Sequence, residues 1–249
     1  MRRLRPLCGL AVAAVLGACA ALQPAPDPAG RRADPMGAAL AAVLPAGEGD
    51  GPQQARTFVA VVATVEPVAE AECRRADITR NCDFRILVDD RPGMPPNAFQ
   101  TLDRAGRPVI IFTLSMIAQA ANADELAFVM AHEAGHHIAG HLTRQQENAA
   151  IGAAIFGQIA GAQGASDPDE IRAAQQFGAA VGARTYSQDF ELEADVLGTV
   201  IAARAGFDPL RGSAFFTRLP DPGNRFLGTH PPNAARLAVV RDTVTALGL

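Results

Sequence analysis

A chain of 249 residues, 49% of them apolar, can bury one sizeable core, so a second full domain is not expected. All 22 basic residues are arginines, and once Arg2, Arg3 and Arg5 at the extreme N-terminus are set aside, 19 basic residues face 26 acidic ones, a balance of −7. Mild acidity with no later basic run excludes nucleic-acid binding and a polybasic membrane surface from the expected functions.

The N-terminus has the grammar of a secretory signal over residues 1–18. The three arginines precede an apolar stretch, residues 7–16, that is too short to span a bilayer as a helix, and the small residues Gly17 and Ala18 follow. Leu16-Gly17-Ala18-Cys19 resembles the bacterial lipobox, which predicts lipidation of Cys19 and attachment to a membrane without a transmembrane helix. Ala20 after the cysteine, rather than Asp, points to the outer membrane, facing the periplasm. Residues 19–54, rich in Pro, Gly and Ala, read as a tether with one small helix over 36–44, and the catalytic domain is expected over 55–249. With export comes an oxidising compartment, where Cys73 and Cys82 are expected to form a disulfide; a metal site there would need more ligands than the lone Asp77 between them.

Within the domain, the valine-rich residues 58–65 fit either a strand or a helix, whereas 84–88 and 109–114 are β-branched or aromatic runs that predict strands. A short helix is expected over 115–121. Asn122 with Glu125 three residues on forms a capping-box signature, starting a further helix ahead of Leu126, Val129 and Met130. The Gly- and Ala-rich residues 149–165, interrupted by Gln158 and Gln163, suggest a flexible helical hairpin or a lid over a cleft, with a membrane-touching surface as the second reading. Asp167-Pro168 starts another helix, a helix from about Asp189 stops at Gly206, and 209–219 and 232–247 read as two more. Helices with one small sheet make an α+β fold.

Four of the five histidines fall between His132 and His141, and His132-Glu133-Ala134-Gly135-His136 is the decisive string. Residues four apart on a helix lie about 40° apart, so His132 and His136 can direct two imidazole nitrogens at one Zn²⁺. Glu133 projects beside the metal as general base for the attacking water. His141, five residues past His136, would lie about 140° around a continuous helix, and His137 is also turned away, so both are expected to pack the helix or support the ligands. The third ligand must then come from another helix. Glu191-Leu192-Glu193-Ala194-Asp195 offers it: Glu191 and Asp195 share a face, Glu191 to bind zinc and Asp195 to accept the free ring N–H of a ligating histidine, while Glu193 is expected to meet solvent.

H-E-A-G-H, then E-L-E-A-D some fifty residues on, then Thr229-His230-Pro231-Pro232 with Arg236, resembles the gluzincin family of HtpX-like and CAAX-prenyl-protease-type metallopeptidases, in particular its soluble periplasmic members. The likeness runs from about Phe84 to Arg236. It implies a mainly helical zincin-like domain with a small sheet whose edge strand borders the active site, one zinc ion per chain, and Glu191 as third ligand. It also implies that Asn97, Ala98 and Phe99 contact substrate, although Gln100 to Gly106 replace the family's usual Gly-rich turn. His230 is expected in a rigid loop near the metal, to hydrogen-bond the reacting carbonyl or to occupy the metal's open position and hold the enzyme idle. The resulting expectation is an endopeptidase of the cell envelope acting on unfolded or misassembled envelope proteins. The competing reading is a lipid-anchored zinc-containing binding or chaperone-like protein with little turnover, and a zinc amidase on cell-wall peptides is a third. Three ligands with a general base beside them favour the enzyme, because structural zinc sites fill all four positions with protein.

Overall fold

The computed structural model describes residues 51–77, 79–223, 225 and 228–248. The signal segment, Cys19, and the tether up to residue 50 lie outside the described residues.

The first element, α1 (Gly51–Ala76), takes in the valine-rich run that could have been a strand. Its buried positions Ala55, Phe58, Val62, Val65, Ala69 and Cys73 recur every three or four residues, the period of a helix with one face on a core. The chain is already helical at Gly51, the first described residue, four residues ahead of the expected domain start at residue 55. A disulfide between Cys73 and Cys82 closes the loop that follows. That loop is tied to the rest of the domain by Arg80, whose Nη1 donates to the His137 carbonyl at 3.0 Å, and by the Asn81 carbonyl, 2.8 Å from His137 Nε2.

Three strands follow: β1 (Arg85–Asp89), β2 (Ala98–Leu102) and β3 (Pro108–Thr113), in the order β1-β3-β2. β3 is central, parallel to β1 and antiparallel to β2, and its Ile110 and Phe112 are wholly buried. β2 is an edge strand. Its hydrogen-bonded partners alternate: Thr113 N–H donates to the Asn97 carbonyl at 3.0 Å and Asp103 N–H to the Arg107 carbonyl at 2.9 Å, so the odd-numbered residues pair with β3. The backbone N–H and C=O groups of Ala98 and Gln100 therefore face the open edge.

α2 (Leu114–Gln119) leads to α3 (Ala123–Ile138), the most buried helix of the domain. Asn122 caps α3 by accepting from Glu125 N–H at 3.1 Å, and Glu125 reaches back to Ala121 N–H at 2.7 Å, one residue before the usual capping-box donor. Glu125 is also clamped by Arg218, with Nη1 2.6 Å from Oε1. Gly140, left-handed at φ 70°, ends α3 and turns the chain into α4 (His141–Ala162), which pairs with α5 (Pro168–Thr185). α4 and α5 form a helical hairpin that touches the rest of the domain chiefly at its base, so most of it stands clear of the cleft instead of covering it. Its helices meet backbone to backbone: a Cβ on Gly152 would fall 2.1 Å from the Gly178 carbonyl oxygen, and one on Gly182 2.1 Å from that of Asn148.

α6 (Ser187–Arg204) begins two residues before the expected start, and the segment expected as one helix over 209–219 divides into α7 (Pro209–Ser213) and a 3₁₀ turn (Ala214–Arg218). α8 (Asn233–Leu247) completes the chain. α3 packs against α1, α6 and α7, and α8 packs against α6. The α3–α6 crossing is tight at a glycine on each helix: a Cβ at Gly135 would lie 3.0 Å from the Ala194 carbonyl oxygen, and one at Gly198 3.0 Å from both N and Cα of His132. No helix among the described residues is long and apolar enough to cross a membrane.

Gly198→Ala is expected to cost about 1 kcal/mol net, measured by urea unfolding, because the added methyl presses on the His132 backbone and this overpacking exceeds the helix propensity that alanine gains. Replacing Cys73 and Cys82 by Ser is expected to lower stability by about 2–3 kcal/mol in the same assay under oxidising conditions, the entropy that a short closed loop withholds from the unfolded chain.

Candidate active site

His132 and His136 stand one turn apart on α3, and the close crossing brings Glu191 of α6 to face them. His132 Nε2 and His136 Nε2 are 3.1 Å apart, and the Glu191 carboxylate oxygens lie 3.5 Å from the first and 3.4 Å from the second. A tetrahedral zinc ion with bonds of 2.0–2.1 Å separates its ligands by about 3.3 Å, close to the spacing between the two imidazole nitrogens and between each of them and the nearer Glu191 oxygen, Oε2 for His132 and Oε1 for His136. Among the described residues this is the one group of His, Cys, Asp or Glu side chains whose donor atoms come together in this way. The donors fit a divalent cation.

Each candidate ligand is held by a further partner. His132 Nδ1 lies 2.9 Å from Asp195 Oδ1, four residues beyond Glu191 on the same face of α6. Asp195 is fully buried and also grips Arg236 of α8 through two hydrogen bonds, Nε to Oδ2 at 2.8 Å and Nη2 to Oδ1 at 2.6 Å. Burial works against ionisation of Asp195, but the hydrogen bonds from Arg236 and His132 hold its carboxyl below the usual range. The Arg236 guanidinium lies 3.7 Å over the Phe216 ring, which supports it from the other side. Arg236 was legible only as part of the C-terminal motif. Its position in the same helical register as the buried Val240 and Val244 was the sequence signal that it faces inward.

The electrostatics favour a cation at this point. Burial and the charge of Arg236 oppose protonation of His132, yet hydrogen bonds with Asp195 and Glu191 outweigh them and push the imidazole up to about 9. Burial also opposes ionisation of Glu191, but hydrogen bonds from His132, His136 and His230 hold it well below the ordinary carboxylate value. The Nδ1 of His230 is 3.1 Å from Glu191 Oε2, and its side chain is 56% exposed. His230 thus borders the site through Glu191 without joining the three-residue donor set.

Glu133 lies on the wall of a cavity of about 530 Å³ that His132, His136, Glu191 and His230 also line. Burial raises its carboxyl above the usual value, with the two neighbouring imidazoles working in the opposite direction. Asn97, Ala98 and Phe99 line the same cavity at the start of β2. Asn97 is fixed there by Thr113, whose N–H donates to its carbonyl and whose Oγ1 accepts from its N–H at 3.0 Å. Phe215, Phe216 and Met116 make part of the wall apolar.

The remaining histidines divide. His137 points away from the cavity, with Nε2 on the Asn81 carbonyl and its ring edge-on to Phe84 at 5.3 Å. His141 comes back against the site. Its Nδ1 is 2.8 Å from His136 Nδ1 and its Nε2 is 3.1 Å from Glu193 Oε2. Burial is the main cause that brings His141 down to about 4. Glu193, expected to meet solvent, is 45% exposed but also engaged, holding His141 and, at 2.7 Å, Arg144. Glu193 meets solvent as expected; its partners come from α4, which a helical wheel of α6 alone does not contain.

The sequence profile of peptidase family M48 matches residues 56–244. The protein described as "Putative beta-barrel assembly-enhancing protease" from Vibrio cholerae is 33% identical over 136 residues, 52% of this chain and 28% of that protein. The beta-barrel assembly-enhancing protease of Escherichia coli K12 is 32% identical over 133 residues, 49% of this chain and 27% of that protein, and the Shigella flexneri protein of the same description gives the same values. The chain thus aligns with little more than a quarter of the length of each relative. With three-quarters of its residues matched to the family, the chain belongs to peptidase family M48, and it is a metallopeptidase with a possible three-residue metal site.

Proposed function

We propose that this protein is a zinc-dependent endopeptidase of the bacterial cell envelope, in which His132, His136 and Glu191 hold one zinc ion and Glu133 is the general base. The observation that carries this reading is the convergence of two imidazole nitrogens, 3.1 Å apart, with a carboxylate whose two oxygens lie 3.5 and 3.4 Å from them, on the wall of a cavity shared with Glu133 and an open sheet edge. Bound there, zinc would supply Lewis-acid polarisation of the scissile carbonyl and of water. Glu133 takes the proton from the attacking water and passes it to the departing amine, roles that suit a carboxylate whose proton affinity burial has raised. An extended substrate adds to the sheet beside β2, pairing with the backbone groups of Ala98 and Gln100 that β3 leaves free. That pairing fixes the peptide's direction along the cavity, and Asn97 and Phe99 contact its side chains. His230, on the open side, donates a hydrogen bond to the charge that develops on the carbonyl oxygen.

The location rests on the signal grammar and on Cys19, which support a periplasmic protein anchored by lipid, with Ala20 favouring the outer membrane. Unfolded or misassembled envelope proteins are the proposed substrates, and the description of the relatives as beta-barrel assembly-enhancing proteases supports that class.

Glu133→Gln is expected to retain one zinc per chain by metal analysis while cleavage of an unfolded reporter protein falls by at least about 10²-fold. Undiminished cleavage by this variant would remove Glu133 from its role. Chelation should abolish activity of the wild type, and added zinc should restore it. In cells, envelope proteins that accumulate when wild type is replaced by Glu133→Gln should include the natural substrates.

A further inference from the structure

We propose that His141 is a positioning residue for the ligand His136, forming with Glu193 a hydrogen-bonded chain that selects the tautomer of His136 able to bind metal. The proposal rests on the zinc reading above and adds a residue that acts through His136, outside the three-residue donor set.

The turn at Gly140 makes the arrangement possible. On an unbroken helix His141 would point about 140° away from His136. The left-handed Gly140 instead breaks the path between α3 and α4, and His141, as the first residue of α4, comes back against His136 with 2.8 Å between their Nδ1 atoms. Its ring is 4% exposed and stacks on Phe190, with centroids 4.5 Å apart and planes 11° from parallel. Arg144, one turn along α4, lies 4.4 Å over the same Phe190 ring and binds Glu193 at 2.7 Å. Ring plane and hydrogen-bond direction of His141 are both fixed.

The proton positions follow from the far end. Ionised Glu193 can only accept, so the His141 nitrogen 3.1 Å away, Nε2, carries a hydrogen. In a neutral imidazole the other nitrogen is then an acceptor, and the atom facing it, His136 Nδ1, must be the donor. A hydrogen on His136 Nδ1 leaves the lone pair on Nε2, the nitrogen that faces His132 and Glu191. Asp195 does the same for His132 directly. His141 is excluded as a metal ligand by the same network, because each of its nitrogens already has a partner.

The test uses the mature protein and zinc itself, with chelator competition as the readout. His141→Phe keeps a ring on Phe190 but removes both nitrogens, and its zinc dissociation constant is expected to rise by about 10- to 100-fold. His141→Gln, whose carbonyl can accept from His136 while its amide donates to Glu193, is expected to recover most of that loss. In the zinc-free proteins, ¹⁵N spectra of the imidazoles should place the His136 hydrogen on Nδ1 in wild type and distribute it over both nitrogens in His141→Phe, a change that packing alone would not produce. If His141→Phe fails to fold, Glu193→Ala tests the same chain from its other end and should weaken zinc binding in the same direction. Unchanged zinc affinity in the folded variant, or a glutamine variant as weak as the phenylalanine one, overturns the proposal and leaves the peptidase reading intact. A wild type that binds no zinc overturns both.

Discussion

The candidate site depends on how closely α3 and α6 can approach. His132 and His136 are fixed relative to each other by one helical turn, but Glu191 reaches them only because the two backbones meet at Gly135 and Gly198, with Ala194 opposite. A side chain at either glycine would have to displace main-chain atoms, including those of His132 itself. Across the seam His132 meets Asp195 at 2.9 Å, and both histidines face Glu191. Burial adds to these contacts: α3 lies almost wholly inside the domain, with α1 and α7 on its other sides, so α6 cannot retreat without opening the core.

Around that crossing, the charges are layered. Asp195, fully buried, would be costly alone, and its cost is offset because it is shared between His132 and the paired guanidinium of Arg236, which α8 carries in from the C-terminal end. Glu191 faces three histidine rings at 3.1 to 3.5 Å, and Arg236 Nη1 lies 3.6 Å from its Oε2. The candidate ligands are thus positioned by three helices and one loop: α3 carries His132 and His136, α6 carries Glu191 and Asp195, and Arg236 and His230 come from α8 and the loop before it.

What the sequence made legible was chemistry with a short period. The H-E-x-x-H string and the Glu191/Asp195 pair encode their geometry in a spacing of four, and the cap at Asn122 encodes its own hydrogen bond. Less could be read where the deciding contact lay elsewhere in the chain. Residues 58–65 are β-branched enough for a strand, and only the burial of Ala55, Phe58, Val62 and Val65 against α3 makes them helix. Glu193 has solvent on its own helix and partners on α4. His141 follows a residue with positive φ, and a turn of that kind defeats any count of degrees along a continuous helix. The sheet edge was expected near Asn97, Ala98 and Phe99; that this segment opens the edge strand itself follows from its pairing with β3.

The disulfide has a consequence beyond the stability of its own loop. The residues it encloses include Arg80 and Asn81, which hold the carbonyl and the ring of His137, and His137 directly follows the second candidate ligand. The end of the metal helix is therefore moored to a sulfur bridge. Reduction of the bridge would leave that end of the helix held by the Arg80 and Asn81 contacts alone, on a loop no longer closed at its base.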